Sequence, residues 1–482
     1  MFEVLTAFMG HARHRPHHPA ILDAGGCLTY SELADAIRRT AAGIDSLPDK
    51  VGLLAPEDRR GIIWYLALAW AGRTIVPLPG FFSTAQRAHI IHDAGLKTVI
   101  AAPEEADKVR MGACAIVTPG VGSALSATPS RENRCIIYTS GTTGRPKGVV
   151  LGERQLSASV TALIEAADAS GDDRTLAVLP AALLLEQIAG IAVPLSVGAS
   201  IMLCPDPHAI ATAAATFAAT TTVLVPDLLS AWVGVLERLK QRAPASLRFV
   251  AVGGAPVPPR LAERAEAVGL PIHEGYGLSE CCAVVALNRP GDRAVGTVGR
   301  PISGVSVTID RGEIVVAGAT VMDGYHREPT GDASCDGTIP ELPMASPPAV
   351  WRTGDAGHID GNGRLVVAGR IDDVITTSTG RNIHPDWIEQ MILRDPRIRR
   401  CAVIDGGSHP RAVLVPGAES LSHATAAEIE ALVAALCADA PDYARPRANL
   451  MISETALVQQ GLITANGRLR RWAIAATLTE TP

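Results

Sequence analysis

The stretch RCIIYTSGTTGRPKGVV, Arg134 to Val150, decides how the chain is read. An apolar run, Cys135 to Tyr138, gives way to a loop carrying the hydroxyls of Thr139, Ser140, Thr142 and Thr143. The same loop holds Gly141, Gly144 and Gly148 and one lysine, Lys147, before a second apolar run starts at Val149. Backbone N–H groups and hydroxyls in such a loop cradle phosphate oxygens, and the ammonium neutralises their charge. The spacing is not that of a P-loop, where Gly-Lys-Ser/Thr follows four variable residues. Lys147 is informative because only five of the 43 basic residues are lysines, and none follows Lys240. A chain so biased toward arginine keeps a lysine beside Gly148 for a specific reason; a plain flexible turn supplies none.

Outward from this loop, apolar β-rich runs alternate with helical stretches. KVGLLAP (from Lys50), RTIVPL (from Arg73), TLAVLP (from Thr175), ASIMLC (from Ala199), TTVLVP (from Thr221) and LRFVAVGG (from Leu247) read as strands. Their continuous Val/Ile/Leu character predicts strands buried on both faces, hence parallel sheets in an α/β fold. GVSVTIDRGEIVVAG, Gly304 to Gly318, differs: two antiparallel strands around an Asp-Arg-Gly turn. The Gly-, Pro-, Asp- and Ser-rich stretch from Arg327 to Pro348 reads as an irregular loop. After Arg370 the pattern changes to a compact α+β unit. The expected architecture is a large N-terminal domain of layered β-sheets with helices, residues 1–371, and a small α+β C-terminal domain, residues 372–482.

Composition narrows the function. A chain of 482 residues exceeds one core, and 47% hydrophobic with 19% charged residues excludes general disorder. A net charge of -6 leaves no basic footprint for nucleic acid. Nine cysteines fall without a CxxC pair or zinc spacing and read as reduced thiols of a cytoplasmic protein; adjacent Cys281 and Cys282 read as small apolar residues. The N-terminal histidines (His11, His14, His17, His18) read as a Pro-broken surface segment and not a metal site, and no signal peptide is recognisable. Leu183 to Leu203 is long enough to span a membrane but carries Glu186, Gln187 and Pro194, so a buried helix, a turn and a buried strand explain it better, and no transmembrane segment is expected.

Four further motifs follow the loop in order: GYGLSE (Gly275 to Glu280), RTGD (Arg352 to Asp355), GRIDDVITTSTGRNIHPDWIE (Gly369 to Glu389) and ITANGRLRR (Ile463 to Arg471). With these the chain resembles the ANL superfamily of adenylate-forming enzymes, which includes acyl- and aryl-CoA synthetases, peptide-synthetase adenylation domains and luciferases. The resemblance runs through nearly the whole chain. It implies that a carboxylate attacks the α-phosphate of ATP, that pyrophosphate leaves, and that a thiol then takes the acyl group. Such chemistry requires in-line positioning, neutralised phosphate charge and Mg²⁺ on the phosphate oxygens. By matching position, Thr139, Ser140, Gly141, Thr142, Thr143, Gly144 and Lys147 hold the phosphates, and Glu280 is the Mg²⁺ ligand. Gly275, Tyr276, Gly277, Leu278 and Ser279, with Gly254, Ala255 and Pro256, line the nucleotide, Tyr276 stacking near the adenine. Asp355 accepts hydrogen bonds from the ribose hydroxyls and Arg370 donates to the ribose. Read without the resemblance, an Asp after Gly is a turn residue and a lone Glu a solvated charge.

The resemblance also implies a hinge at Asp372, about which the small domain moves between half-reactions. It places Arg468 where the family carries a catalytic lysine, keeping the charge but replacing a compact ammonium by a planar fork. Acid-pocket candidates are Leu183 to Gln187, Gly253 to Pro256, Leu278 and Cys281 to Ala283, mostly small or apolar. No Asp is placed there for an α-ammonium group, which favours a fatty or aryl acid over an amino acid. The thiol belongs to CoA or to the phosphopantetheine of an acyl or aryl carrier protein. Two other readings stand beside this one: transfer to an amine or other nucleophile, and a degenerate homologue that binds ATP without catalysis.

Overall fold

The computed structural model describes residues 1–109, 114–120, 128–131, 133–139, 146–326, 349–376, 381–407, 409–417, 419–463 and 469–479. Among these, six strands form the parallel centre of a nine-stranded sheet, in the order Ile272–Tyr276, Phe249–Val252, Thr221–Leu224, Arg174–Ala177, Ser200–Leu203 and Pro19–Asp23. A seven-stranded sheet is built around Lys50–Leu54 and Thr74–Pro77; at one side Arg134–Thr139 turns antiparallel to Lys147–Gly152. The continuous apolar runs thus sit where they are covered on both faces: Ile21, Ile201, Val250 and Leu224 are 0% exposed.

The Gly304–Gly318 stretch folds as expected. Val305–Asp310 and Glu313–Gly318 pair antiparallel with Asp310 opposite Glu313. The two turn residues have positive φ, 51° at Arg311 and 84° at Gly312, which is the twist a two-residue hairpin requires. The ten-residue strand Val350–Ile359 and then Leu365–Arg370 extend this hairpin into a four-stranded sheet. The smaller unit has its own apolar cluster, in which Ile388, Val403, Leu414 and Val433 are fully buried between the strands Ile398–Ile404 and Arg411–Pro416 and the helices Pro385–Ile392 and Ala426–Leu436. Arg400 of this unit pairs with Asp227 of the large one at 2.9 Å.

Two stretches differ from the sequence reading. Phe2–His14 is a helix with Val4, Leu5, Phe8 and Ala12 buried, not a loose surface segment; its His11 ring Nε2 lies 3.0 Å from the Ser196 carbonyl oxygen. The run after Leu183 is buried as expected, but Glu186–Ala192 is a π-helix, continued as α-helix by Val193–Val197 and ended by Gly198 at φ 84°. The Arg327 to Pro348 stretch lies outside the described residues.

Candidate active site

The first motif pair is joined by strand register. Asp355 of Val350–Ile359 stands directly opposite Arg370 of Leu365–Arg370. The Arg370 guanidinium Nη1 donates to Asp355 Oδ1 at 3.0 Å and to the Thr353 carbonyl at 2.8 Å. Gly354, at φ 70°, makes this possible: a Cβ there would lie 2.8 Å from Arg370 Nη2. Tyr276, at the end of a strand of the nine-stranded sheet, reaches across and donates its hydroxyl to the other Asp355 oxygen. Burial pushes the Tyr276 hydroxyl far above its usual range, and the Asp355 charge adds to this, so the phenol stays a donor. Three residues from three motifs therefore form one cluster. Among the described residues Arg370 Nε is buried with no hydrogen-bond partner, which leaves a donor for a ligand there.

A second cluster lies around Tyr325, which the sequence did not single out. Its hydroxyl donates to Glu280 Oε1 at 2.8 Å. The ammonium of Lys147 sits 5.4 Å from the centre of the Tyr325 ring, within cation–π range. Trp351 meets the same ring edge-on at 5.8 Å. Lys147 pairs in register with Thr139 across the antiparallel strands, while Tyr325 pairs with Val149. The lysine is exposed and Glu280 half-buried, so a phosphate chain could reach both.

Glu280 stands on a short 3₁₀ turn, Ser279–Cys281, whose exit is strained. Cys282 and Ala283 follow at φ 54° and 82°, positions that non-glycine residues occupy at a cost of about 1–3 kcal/mol each. The surroundings hold them there. Cys281 and Cys282 are both fully buried, as small apolar residues, and burial pushes the Cys282 thiol up to about 12. The Glu280 carbonyl accepts from the Met322 amide at 2.8 Å. Gly277 has no room for a side chain, since a Cβ would overlap the Ala283 carbonyl oxygen. Gly253 lies against Gly275, a Cβ coming within 3.3 Å of its carbonyl oxygen, and Gly254 has φ 80°. Ala255, Pro256, Leu278 and Ser279 flank these turns. Ser140, Gly141, Thr142, Thr143, Gly144 and Arg468 lie outside the described residues.

Below this site, the large unit holds a cavity with an envelope of about 620 Å³, open solvent at its mouth included. Leu185, Ala189, Ala251 and Val284 line one part of it. Of the proposed acid-pocket residues it takes in Leu185; the rest of its wall lies deeper along the strands.

A third cluster sits beside Asp372. Arg471 donates from Nη2 to Asp386 at 2.9 Å and to Glu389 at 2.8 Å, and from Nη1 to Asp373. Burial alone would weaken this guanidinium, yet the carboxylates around it hold its proton more tightly than usual. On the other side Asp372 pairs with Arg370 Nη2 at 3.4 Å. Asp372 and Asp373, neighbours in sequence, are thus tied to opposite partners.

The match with known proteins follows this geometry. Residues 8–326 fit the family described as AMP-binding enzyme, and residues 372–480 fit the AMP-binding enzyme C-terminal domain. The chain belongs to the AMP-binding enzymes. A feruloyl-CoA synthase of Amycolatopsis sp is 30% identical over 442 residues, which cover 84% of this chain and 87% of that protein. A long-chain-fatty-acid–CoA ligase of Mycobacterium bovis is 27% identical, covering 80% and 76%. Among solved structures, an anthranilate CoA ligase in complex with anthranoyl-AMP superimposes with a TM-score of 0.83 at 20% identity, over 98% of this chain and 96% of that one. An amide bond synthetase from Marinactinospora thermotolerans gives 0.77 at 24% identity, over 98% and 99%. The fold is therefore shared with a CoA ligase and with an amide bond synthetase, and the fold alone does not choose between them.

Proposed function

We propose that this AMP-binding enzyme activates an apolar carboxylic acid, fatty or aryl, with ATP, releasing pyrophosphate, and passes the acyl group to the thiol of CoA. The observation that carries the nucleotide reading is the Tyr276–Asp355–Arg370 cluster: a carboxylate with remaining lone pairs beside an unpartnered guanidinium N–H suits the two hydroxyls of a ribose. The phosphates lie toward Lys147 and Glu280. Among the described residues no three His, Cys, Asp or Glu gather into a metal cage. A single half-buried carboxylate fits Mg²⁺ all the same, since that ion takes one or two carboxylates and fills its octahedron with phosphate oxygens and water. Glu280 would hold it, and the ion would supply charge neutralisation at the phosphates. The acid lies in the apolar cavity. The small unit, residues 372–482, moves about Asp372 between the two half-reactions, with Asp373 held to the small unit by Arg471. No helix among the described residues is long and apolar enough to cross a membrane, and the described cysteines are all free, in keeping with a cytoplasmic setting.

A panel of carboxylic acids tests this reading. Fatty and aryl acids are expected to release pyrophosphate from ATP and form the acyl-adenylate, AMP leaving only when an acceptor takes the acyl group, and α-amino acids are not. Adding CoA then yields the thioester; a carrier-protein phosphopantetheine or an amine added in its place tests the other acceptors. Silence with every acid, or ADP as product, would overturn the proposal.

Arg468 supports a separate prediction. A reacting group misplaced by about 1 Å can cost up to about 100-fold in rate. Arg468→Lys restores the compact ammonium and is expected to recover part of that factor in ATP–pyrophosphate exchange. A fall in exchange means instead that the guanidinium is required.

A further inference from the structure

The apolar cavity has an orientation. Its wall includes the parallel strands Arg174–Ala177, Thr221–Leu224 and Phe249–Val252, the last of which carries Gly253–Pro256 at its C-terminal end, and ligands of open parallel sheets bind at such ends. On Phe249–Val252, Phe249 and Ala251 both line the cavity, two residues apart and so on one face. Gly253 follows on that strand and packs its bare Cα against the Gly275 carbonyl, so this end of the cavity adjoins the turns at Gly253–Pro256 and Gly275–Glu280. The opposite wall is Leu185, Ala189 and Val193, spaced like one helical face.

The other end is closed by charge. Arg248, just before the strand, and Asp173, just before Arg174–Ala177, both line the cavity there. Arg248 Nε donates to Asp173 Oδ1 at 2.8 Å, and the rest of the fork donates to the Ala167 and Asp168 carbonyls at 2.8 and 2.9 Å. Asp173 is only 5% exposed and also accepts from Thr220 Oγ1 at 2.7 Å and the Ser170 amide at 2.9 Å. The pair is held on both sides and has no slack to swing away. From Arg248 to Gly253 the strand advances by roughly 16 Å at ~3.3 Å per residue.

We infer that the Asp173–Arg248 ion pair is the floor of the acid pocket and sets the longest acyl chain the enzyme activates. This rests on reading the cavity as the acid site. An apolar tail that stops short of the pair is buried among Leu, Val, Ala and Phe. A longer tail must press methylenes against the buried Asp173 carboxylate and strip the water left on the one-third-exposed Arg248 guanidinium, or fold back, and neither is compensated.

Pyrophosphate release with linear acids from butanoic to octadecanoic reads the limit as kcat/KM against chain length. The wild type is expected to rise and then fall steeply. Asp173→Asn/Arg248→Met, which leaves no lone buried charge, is expected to move the fall to longer acids, raising the ratio of first-excluded to best acid on the order of tenfold. Arg248→Lys, with a shorter head, should move it less in the same direction and serves if the double variant unfolds early on heating. Ala251→Phe, placed midway, is expected to move the fall to shorter acids. If Ala251→Phe shifts the profile and neither Arg248 variant does, the floor is elsewhere while the acid site stands. If none of the three shifts it, the cavity does not hold the acid and the inference falls with that reading.

Discussion

Asp355→Ala raises the KM for ATP by about 100-fold while leaving the KM for the acid within a few-fold. Two charge-assisted hydrogen bonds to a ribose, each worth about 1.5–3 kcal/mol, account for a loss of that size. The carboxylate is only 13% exposed and is already aimed, one oxygen by Tyr276 and the other by Arg370 at 3.0 Å. Its orientation is therefore fixed in advance, and a ribose bound here would meet a prepared acceptor. Asp355→Asn keeps the shape and an oxygen for Arg370 but loses the charge and turns the acceptor beside Tyr276 into a donor, and should fall between wild type and alanine. Steady-state pyrophosphate release at varied ATP separates the cases; an unchanged KM for ATP would remove Asp355 from the nucleotide site. Thermal unfolding of each variant guards against a loss of fold, because truncation leaves Arg370 with one partner fewer.

Glu280→Gln lowers the rate of adenylation by on the order of 10²–10³, the range seen when one preorganised electrostatic group is lost from a reacting centre. The substitution is chosen because its carbonyl oxygen still accepts from the Tyr325 hydroxyl, now 2.8 Å from the carboxylate, so the turn after Ser279 need not move. What disappears is the charge. The Mg²⁺ concentration for half-maximal exchange should rise together with the loss of rate. Wild-type ATP–pyrophosphate exchange in Glu280→Gln would contradict both the metal and the phosphate roles of this corner. Lys147 shares the corner through Tyr325, so Tyr325→Phe offers a comparison in which the charge stays and only its hydroxyl support is lost.

The sequence carried the elements whose cause is local. Continuous apolar runs around Val51, Ile75, Leu176, Val223 and Val250 predicted buried parallel strands, because a strand covered on both faces has no polar face to alternate with. The Asp310 to Gly312 turn was legible because an Asp-Arg-Gly sequence, with Gly312 free to take positive φ, separates two β-like runs. Asp355 and Arg370 were found separately, each by its motif. The amphipathic helix Phe2–His14 was missed because its histidines and Pro16 drew attention to the polar side, whereas Val4, Leu5 and Phe8 settle it on the core. The π-helix at Glu186 had no sequence signal at all; its extra residue per turn only makes sense against the packed surroundings.

By itself the sequence determined an α/β chain, a loop of glycines and hydroxyls around Lys147, and the order of its motifs. Those properties depend on residue type and spacing within short windows. The tertiary structure decided which of these residues meet. Strand register set Asp355 opposite Arg370, and a second sheet brought in Tyr276 from 79 residues away. It placed Tyr325 between Glu280 and Lys147, joined Arg471 to Asp373 across 98 residues, and set Arg248 and Asp173, 75 residues apart, together on the wall of the apolar cavity. A register shift of one residue would turn Asp355 or Arg370 to the other face of its strand. Register and burial are fixed by the packing of the whole chain, and no local stretch contains them.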